Sequence, residues 1–174
     1  MSVSVDLIKE LRQMTSASIA QCKKALEESK GNIKKAAELL RKRGLEIALK
    51  SGSGTPREGR IESYVHLGNK IGVLLEVNCD TDFVARNEDF IQFSKDISMQ
   101  IAACNPSFLK KEDVPAAALK NELDKEEFYK NHCLLEQPFV KDPSITVKDY
   151  LGSLVAKLSE NISIRRFVRY KIGE

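Results

Sequence analysis

Apolar residues recur at helical spacing through residues 1–50 and at alternate positions soon afterwards. Leu7, Leu11 and Met14 stand at i, i+4 and i+7 and predict a first helix, broken by Thr15-Ser16-Ala17-Ser18. Ser18 followed by Gln21 has the form of a capping box, opening a second helix with Ile19, Cys22, Ala25 and Leu26 on its apolar face. Lys30-Gly31-Asn32 ends that helix, and Asn32 is the expected N-cap of a third. Ile33, Ala36, Ala37 and Leu40 form the stripe of this third helix, and Gly44 is expected to stop it. Ser51-Gly52-Ser53-Gly54-Thr55-Pro56 has the composition of a flexible linker, so a domain boundary is placed there.

Beyond the linker the period becomes two. Ile61, Ser63 and Val65 alternate with Glu62, Tyr64 and His66. After Gly68-Asn69, residues Ile71, Val73, Leu75, Val77 and Cys79 share one face, which predicts a β-hairpin. Phe90, Phe93, Ile97, Ile101 and Cys104 make a helical stripe suited to cover that sheet, ended by Asn105-Pro106. Pro115 is expected in the first turn of a further helix with Leu119 and Leu123 on one face. Leu134 to Pro143 reads as irregular. Thr146 with Asp149 opens another helix, its inner face Val147, Leu151, Leu154 and Leu158. Ile162, Ile164, Arg166, Val168, Tyr170 and Ile172 alternate as a third strand. The expected fold class is α+β, with a three-helix module over 1–50, a linker over 51–57, and a core over 58–174. That core holds a three-stranded antiparallel sheet packed by helices.

Composition narrows the function classes. With 174 residues, 42% hydrophobic and 30% charged, the chain has the makings of a folded globular protein. No apolar run approaches the roughly 20 residues of a membrane span. Met1 to Glu10 lacks a charged head followed by an apolar stretch, so no secretory signal is expected and the expected location is the cytoplasm. Cys22, Cys79, Cys104 and Cys133 show no Cys-x-x-Cys spacing, and His66 and His132 are the only histidines, which argues against a zinc site. In a reducing compartment the four are thiols, most of them small core residues. The net charge of +3 is too small to imply nucleic acid.

Catalytic motifs are missing as well. Gly52-x-Gly54 is not followed by Gly-Lys-Ser/Thr, and neither a Gly-x-Ser-x-Gly elbow nor His-Glu-x-x-His occurs. His132 is expected to be solvated, and His66 has no nucleophile near it in sequence. The expectation is therefore a non-enzyme with no cofactor and no metal. Lys34, Lys35, Arg41, Lys42 and Arg43 are interspersed with acids and read as a solvated helix face. Arg165, Arg166, Arg169 and Lys171 leave two readings, contact with phosphates or an edge strand guarded against aggregation, and the edge reading is preferred.

The most informative stretch is Asn78-Cys79-Asp80-Thr81-Asp82-Phe83-Val84-Ala85-Arg86-Asn87. It follows an alternating strand and precedes a helix, so Asp82 and Phe83 lie at a strand-to-helix corner. Two readings stay open from the residues alone. Thr81 or Asp82 caps the helix while Phe83 packs into the core; or the carboxylate and aromatic ring are presented for docking.

Three stretches together resemble the bacterial-type elongation factor Ts family, guanine-nucleotide exchange factors for elongation factor Tu. They are Leu11 to Glu27, Leu75 to Asn87, and Asn161 to Phe167, in the family's order and spanning nearly the whole chain. The resemblance implies a ubiquitin-associated-like fold for the N-terminal module and a single copy of the core that longer members duplicate. It implies a homodimer in which a second subunit supplies the other half. It further implies that Thr81, Asp82, Phe83 and Val84, with Arg12, Ile19, Ala20 and Lys23 of the helical module, bind elongation factor Tu. Asp82 and Phe83 would enter near the magnesium end of the partner's nucleotide pocket. His66 lies in Tyr64 to Val73, similar to a core segment that also touches the partner in longer members. One departure stands out: the family's usual Thr-Gly-Ala-Gly is here Thr15-Ser16-Ala17-Ser18, which restricts positive φ. The competing readings are a non-exchanging adaptor, an RNA-binding protein and, third, a small-molecule enzyme.

Overall fold

A computed structural model describes residues 3–50, 58–120 and 122–174. The expected linker, 51–57, lies outside the described residues.

Three helices open the chain: α1 (Val5–Thr15), α2 (Ile19–Glu28) and α3 (Ile33–Lys50). Their ends follow the capping chemistry of the sequence. Ser18 Oγ accepts from the Gln21 N–H (3.3 Å) and Gln21 Oε1 accepts from the Ser18 N–H (3.1 Å), a reciprocal box. Asn32 Oδ1 accepts from the Lys35 N–H at 3.0 Å. Leu11, Ala17, Cys22, Ala25, Leu26, Ala36 and Leu40 bury a small shared core, whereas Met14 at the end of the first stripe is exposed.

Gly44 does not stop α3. It sits buried inside that helix, where α3 crosses α7 (Val147–Leu158) against Gly152. A Cβ on Gly44 would strike the Gly152 carbonyl oxygen, and one on Gly152 would lie 2.8 Å from the Arg41 carbonyl oxygen. The glycine serves close backbone approach rather than a left-handed cap. Arg41 Nε, 3.2 Å from Asp149 Oδ1, ties the same two helices together.

The core sheet has the order β1-β2-β5, all antiparallel, with β1 Glu58–Val65, β2 Ile71–Cys79 and β5 Ser163–Lys171. The β1–β2 turn uses Gly68 and Asn69 at positive φ, as the hairpin reading expects. Val73, Leu75, Val77 and Cys79 face a helical layer formed by α5 (Glu88–Cys104) and α7. Phe90, Phe93, Ile97 and Ile101 fill that interface from α5, while Cys104, at the end of the stripe, is exposed. α7 is buried on two sides, by this core and by α3, so the molecule stacks as sheet, helical layer and α3.

β5 departs from simple alternation. Glu76 pairs with Arg166 but Val77 pairs with Ile164, so Arg165 is the extra residue of a bulge. Ile162 and Ile164 face the helices before it; Phe167 and Arg169 face them after it. Val168 and Tyr170, expected on the face of Ile164, are thereby turned outward. On β1 the apolar pair Ile61 and Val65 also faces outward, each 62% exposed.

The expected helix after Pro115 is a single 3-10 turn, Ala116–Leu119. Its three alanines have little apolar surface to bury, and the α-helix begins later, at α6 (Lys125–His132), where Asp124 Oδ1 caps the Glu126 and Glu127 N–H groups. His132 is half-buried, its ring 4.4 Å from that of Phe128. Residues Leu134 to Pro143 are not irregular throughout: β3 (Pro138–Phe139) and β4 (Asp142–Thr146) form a small hairpin. Gln100 holds it, donating to the Pro138 carbonyl (3.1 Å) and accepting from the Val140 N–H (2.7 Å). Among the described residues no helix is long and apolar enough to cross a membrane. No group of three or more His, Cys, Asp or Glu among them is placed to hold a metal ion.

Candidate functional site

β2 runs into a tight corner closed by the one-turn helix α4 (Asp82–Ala85). Thr81 is its N-cap, and every polar group of that residue is engaged. Its Oγ1 accepts from the Val84 N–H (3.4 Å) and donates to Glu160 Oε1 (2.6 Å). Its N–H donates to Glu160 Oε2 at 3.2 Å. Its carbonyl accepts from the Ala85 N–H (3.2 Å) and from the Cys79 thiol (3.2 Å). Burial, with the Glu160 charge adding to it, pushes that thiol up to about 11, so it remains a protonated donor.

The corner therefore has a fixed base and a free tip. Val84 is 8% exposed and packs into the sheet core, which pins the turn from below. Phe83, on the other side, is 84% exposed. The capping half of the core reading holds, because Thr81 caps; the packing half does not. Leaving a phenylalanine in water forgoes roughly 1.5–3 kcal/mol of burial, so this ring is available to something outside the described chain. Asp82 stands beside it, its carboxylate 3.1 Å from the Arg86 guanidinium, both side chains partly solvated. Asn87 then caps α5 through the Asp89 N–H (2.8 Å), so the turn is stiff on both flanks.

The other expected docking residues fall into two places. Ile19, Ala20 and Lys23 lie exposed on the first turns of α2, and Arg12 lies exposed on α1. The Lys23 side chain is 61% exposed and only 4.0 Å from Glu27, an ion pair worth little in water. The turn after α7 reaches this region, with Ser159 Oγ 3.5 Å from Gln21 Oε1. His66 stands apart. It follows β1 at the hairpin end of the sheet, whereas Phe83 follows β2 at the other end. Its Nδ1 lies 3.0 Å from the Tyr64 hydroxyl.

Between the helical module and the core runs a cleft of about 640 Å³, lined by Met14, Lys34, Arg41, Gln92, Tyr150 and Lys157 among others. Arg41 and Lys157 are already paired with Asp149 and Asp89. The Thr15 and Ser153 hydroxyls that line the cleft donate to the Leu11 and Asp149 backbone carbonyls.

Glu160 was not legible as part of the site. It stands next to the stretch Asn161 to Phe167, but nothing in its sequence neighbourhood links it to Thr81, 79 positions away.

Comparison with known proteins agrees with the three stretches. The family model described as "Elongation factor TS" matches residues 2–127 and 124–174. The chain is 49% identical to the elongation factor Ts of Methylacidiphilum infernorum, over 99% of its own length and 96% of that protein. It is 47% identical to the one from Caldanaerobacter subterraneus (99% and 98%) and 44% identical to the one from Carboxydothermus hydrogenoformans (99% and 90%). With a corner that holds Phe83 out to solvent and matches that run from end to end, the chain belongs to the elongation factor Ts family.

Proposed function

We propose that the protein is a guanine-nucleotide exchange factor for elongation factor Tu, acting in the cytoplasm during translation elongation by binding and without covalent catalysis. The observation that carries the reading is Phe83, solvent-exposed on a turn held from both sides, in a chain of this family. Asp82 and Phe83 enter near the magnesium end of the partner's nucleotide pocket and displace the elements that hold magnesium and phosphate. Ile19, Ala20 and Lys23, supported by Arg12, grip the partner's GTPase domain from the three-helix, ubiquitin-associated-like module. On this reading the chain divides into that module (1–50), a linker (51–57) and the core (58–174).

Magnitudes set what the wedge can do. Each tenfold loss of GDP affinity requires about 1.4 kcal/mol of coupling, and the coupling is reciprocal. Burying one phenylalanine supplies roughly 1.5–3 kcal/mol, one or two decades, so the α2 contacts must supply the rest. We further propose a homodimer, supported by the outward apolar residues Ile61, Val65, Leu74, Val168 and Tyr170 of the sheet. His66, at the hairpin end of that sheet, is assigned a partner contact on the family resemblance alone.

Stopped-flow release of fluorescent GDP from elongation factor Tu, with excess unlabelled nucleotide, tests the reading. The chain is expected to accelerate release in a concentration-dependent way. Phe83→Ala is expected to slow exchange by at least about tenfold with stability within about 0.5 kcal/mol, as for a surface change. No acceleration by a folded sample would move the function to a non-exchanging adaptor.

A further inference from the structure

Two docking elements far apart in sequence meet one short turn. α7 ends at Leu158, and the next two residues point different ways: Ser159 Oγ lies 3.5 Å from Gln21 Oε1 in the capping box of α2. Glu160 grips Thr81 through both carboxylate oxygens, at 2.6 Å to the hydroxyl and 3.2 Å to the N–H. Such a two-point, charge-assisted contact fixes orientation as well as distance. α7 is itself locked to α3 by the Gly44–Gly152 crossing and to α5 by the Lys157–Asp89 pair at 2.7 Å. The position of α7 is thus transmitted through its C-terminal turn both to the α2 cap and to the corner that carries Phe83.

We infer that Glu160 is a positioning residue for exchange: it sets where the Phe83 turn stands relative to the α2 docking face. This rests on the exchange reading above. Glu160 itself touches Thr81, which anchors the turn, and leaves the tip to Asp82 and Phe83. A wedge must enter its partner while α2 is already engaged, so an unanchored turn binds yet pushes less well. The loss therefore falls on the maximal exchange rate rather than on affinity.

Stopped-flow GDP release should be measured for wild type, Glu160→Ala, Glu160→Gln, Phe83→Ala and the Glu160→Ala/Phe83→Ala double variant, across factor concentrations. Amide hydrogen exchange of the free proteins should accompany it. Glu160→Ala is expected to lower the maximal rate about tenfold, within the span of such couplings, with Glu160→Gln intermediate because it keeps one acceptor oxygen. The half-saturating concentration should move by less than about twofold, and Glu160→Ala should add no more than that to Phe83→Ala. The Val84 amide, which donates to Thr81, should lose protection while amides in α5 keep theirs. Wild-type rates from Glu160→Ala would overturn the inference and leave the exchange reading standing. So would a loss matching only the fraction unfolded, or one fully additive with Phe83→Ala. If wild type itself fails to accelerate release, the exchange reading fails and the inference falls with it, a result the wild-type trace alone identifies.

Discussion

Ser16 closes α1 in the left-handed region at φ 55° and ψ 10°, a conformation that costs a residue with a Cβ roughly 1–2 kcal/mol. The family's usual glycine there would avoid that strain at some cost in unfolded-chain entropy. Ser16→Gly is therefore expected to raise the unfolding free energy by about 0.5–1 kcal/mol, read by urea denaturation. Ser18, the other departure, acts oppositely: its φ is −64° and its hydroxyl caps α2, so Ser18→Gly should cost a few tenths of a kcal/mol. A stabilising Ser18→Gly or a destabilising Ser16→Gly would contradict this account of the turn. Residue types thus say where a turn lies but not which torsion each position takes. Phe83 makes the same point about the site. Its neighbour Thr81 was legible as a cap, but whether the ring points in or out depends on Val84 taking the core position instead.

At the scale of elements, periodicity located α1, α2, α5, α7 and β2 because each buries one regular face, and alternation alone located β1 and β5. It failed where a distant partner decides. The end of α3 was misplaced because Gly44 meets Gly152, and the outward turn of Val168 follows from a bulge that no local pattern announces. The hairpin β3–β4 depends on Gln100 of α5 for its hydrogen bonds. Gly44→Ala separates the two explanations of that glycine. In an exposed helix the change would stabilise by about 1 kcal/mol through propensity. At a tight helix crossing it should instead destabilise by about 1–3 kcal/mol, seen as a lower urea midpoint at unchanged slope. A stabilised variant would mean that α3 and α7 do not meet as described. The same crossing makes deletion of residues 1–50 a poor probe of docking, since it would also uncover the face of α7 bearing Gly152. Lys23→Ala or Ile19→Ala, on exposed positions of α2, probe the same surface without unpacking the core.

At the scale of the whole molecule, the described residues cover one face of the sheet and leave the other open. Antiparallel sheets tolerate a wet face when it is polar. Here the cross-strand rows are Val65–Gly72–Tyr170, Ser63–Leu74–Val168 and Ile61–Glu76–Arg166. Only the last carries an ion pair, Arg166 Nε to Glu76 Oε2 at 2.6 Å, whose guanidinium holds the Glu76 carboxyl below its usual range. Tyr170 is 71% exposed, and Ile61, Val65 and Leu74 add an apolar surface of the kind that marks a contact site. In the homodimer proposed above, a second copy would meet the same face under twofold symmetry, with the Glu76–Arg166 row available to set the register. Leu74 lies at the centre of this face on the middle strand, pointing away from the core, so Leu74→Lys should leave the monomer folded while placing a charge in the dimer contact. Analytical ultracentrifugation should give twice the chain mass for wild type and the single chain mass for Leu74→Lys, with identical circular dichroism. A wild type that sediments as a monomer at tens of micromolar would remove the homodimer. A Leu74→Lys that stays dimeric would move its interface off the sheet.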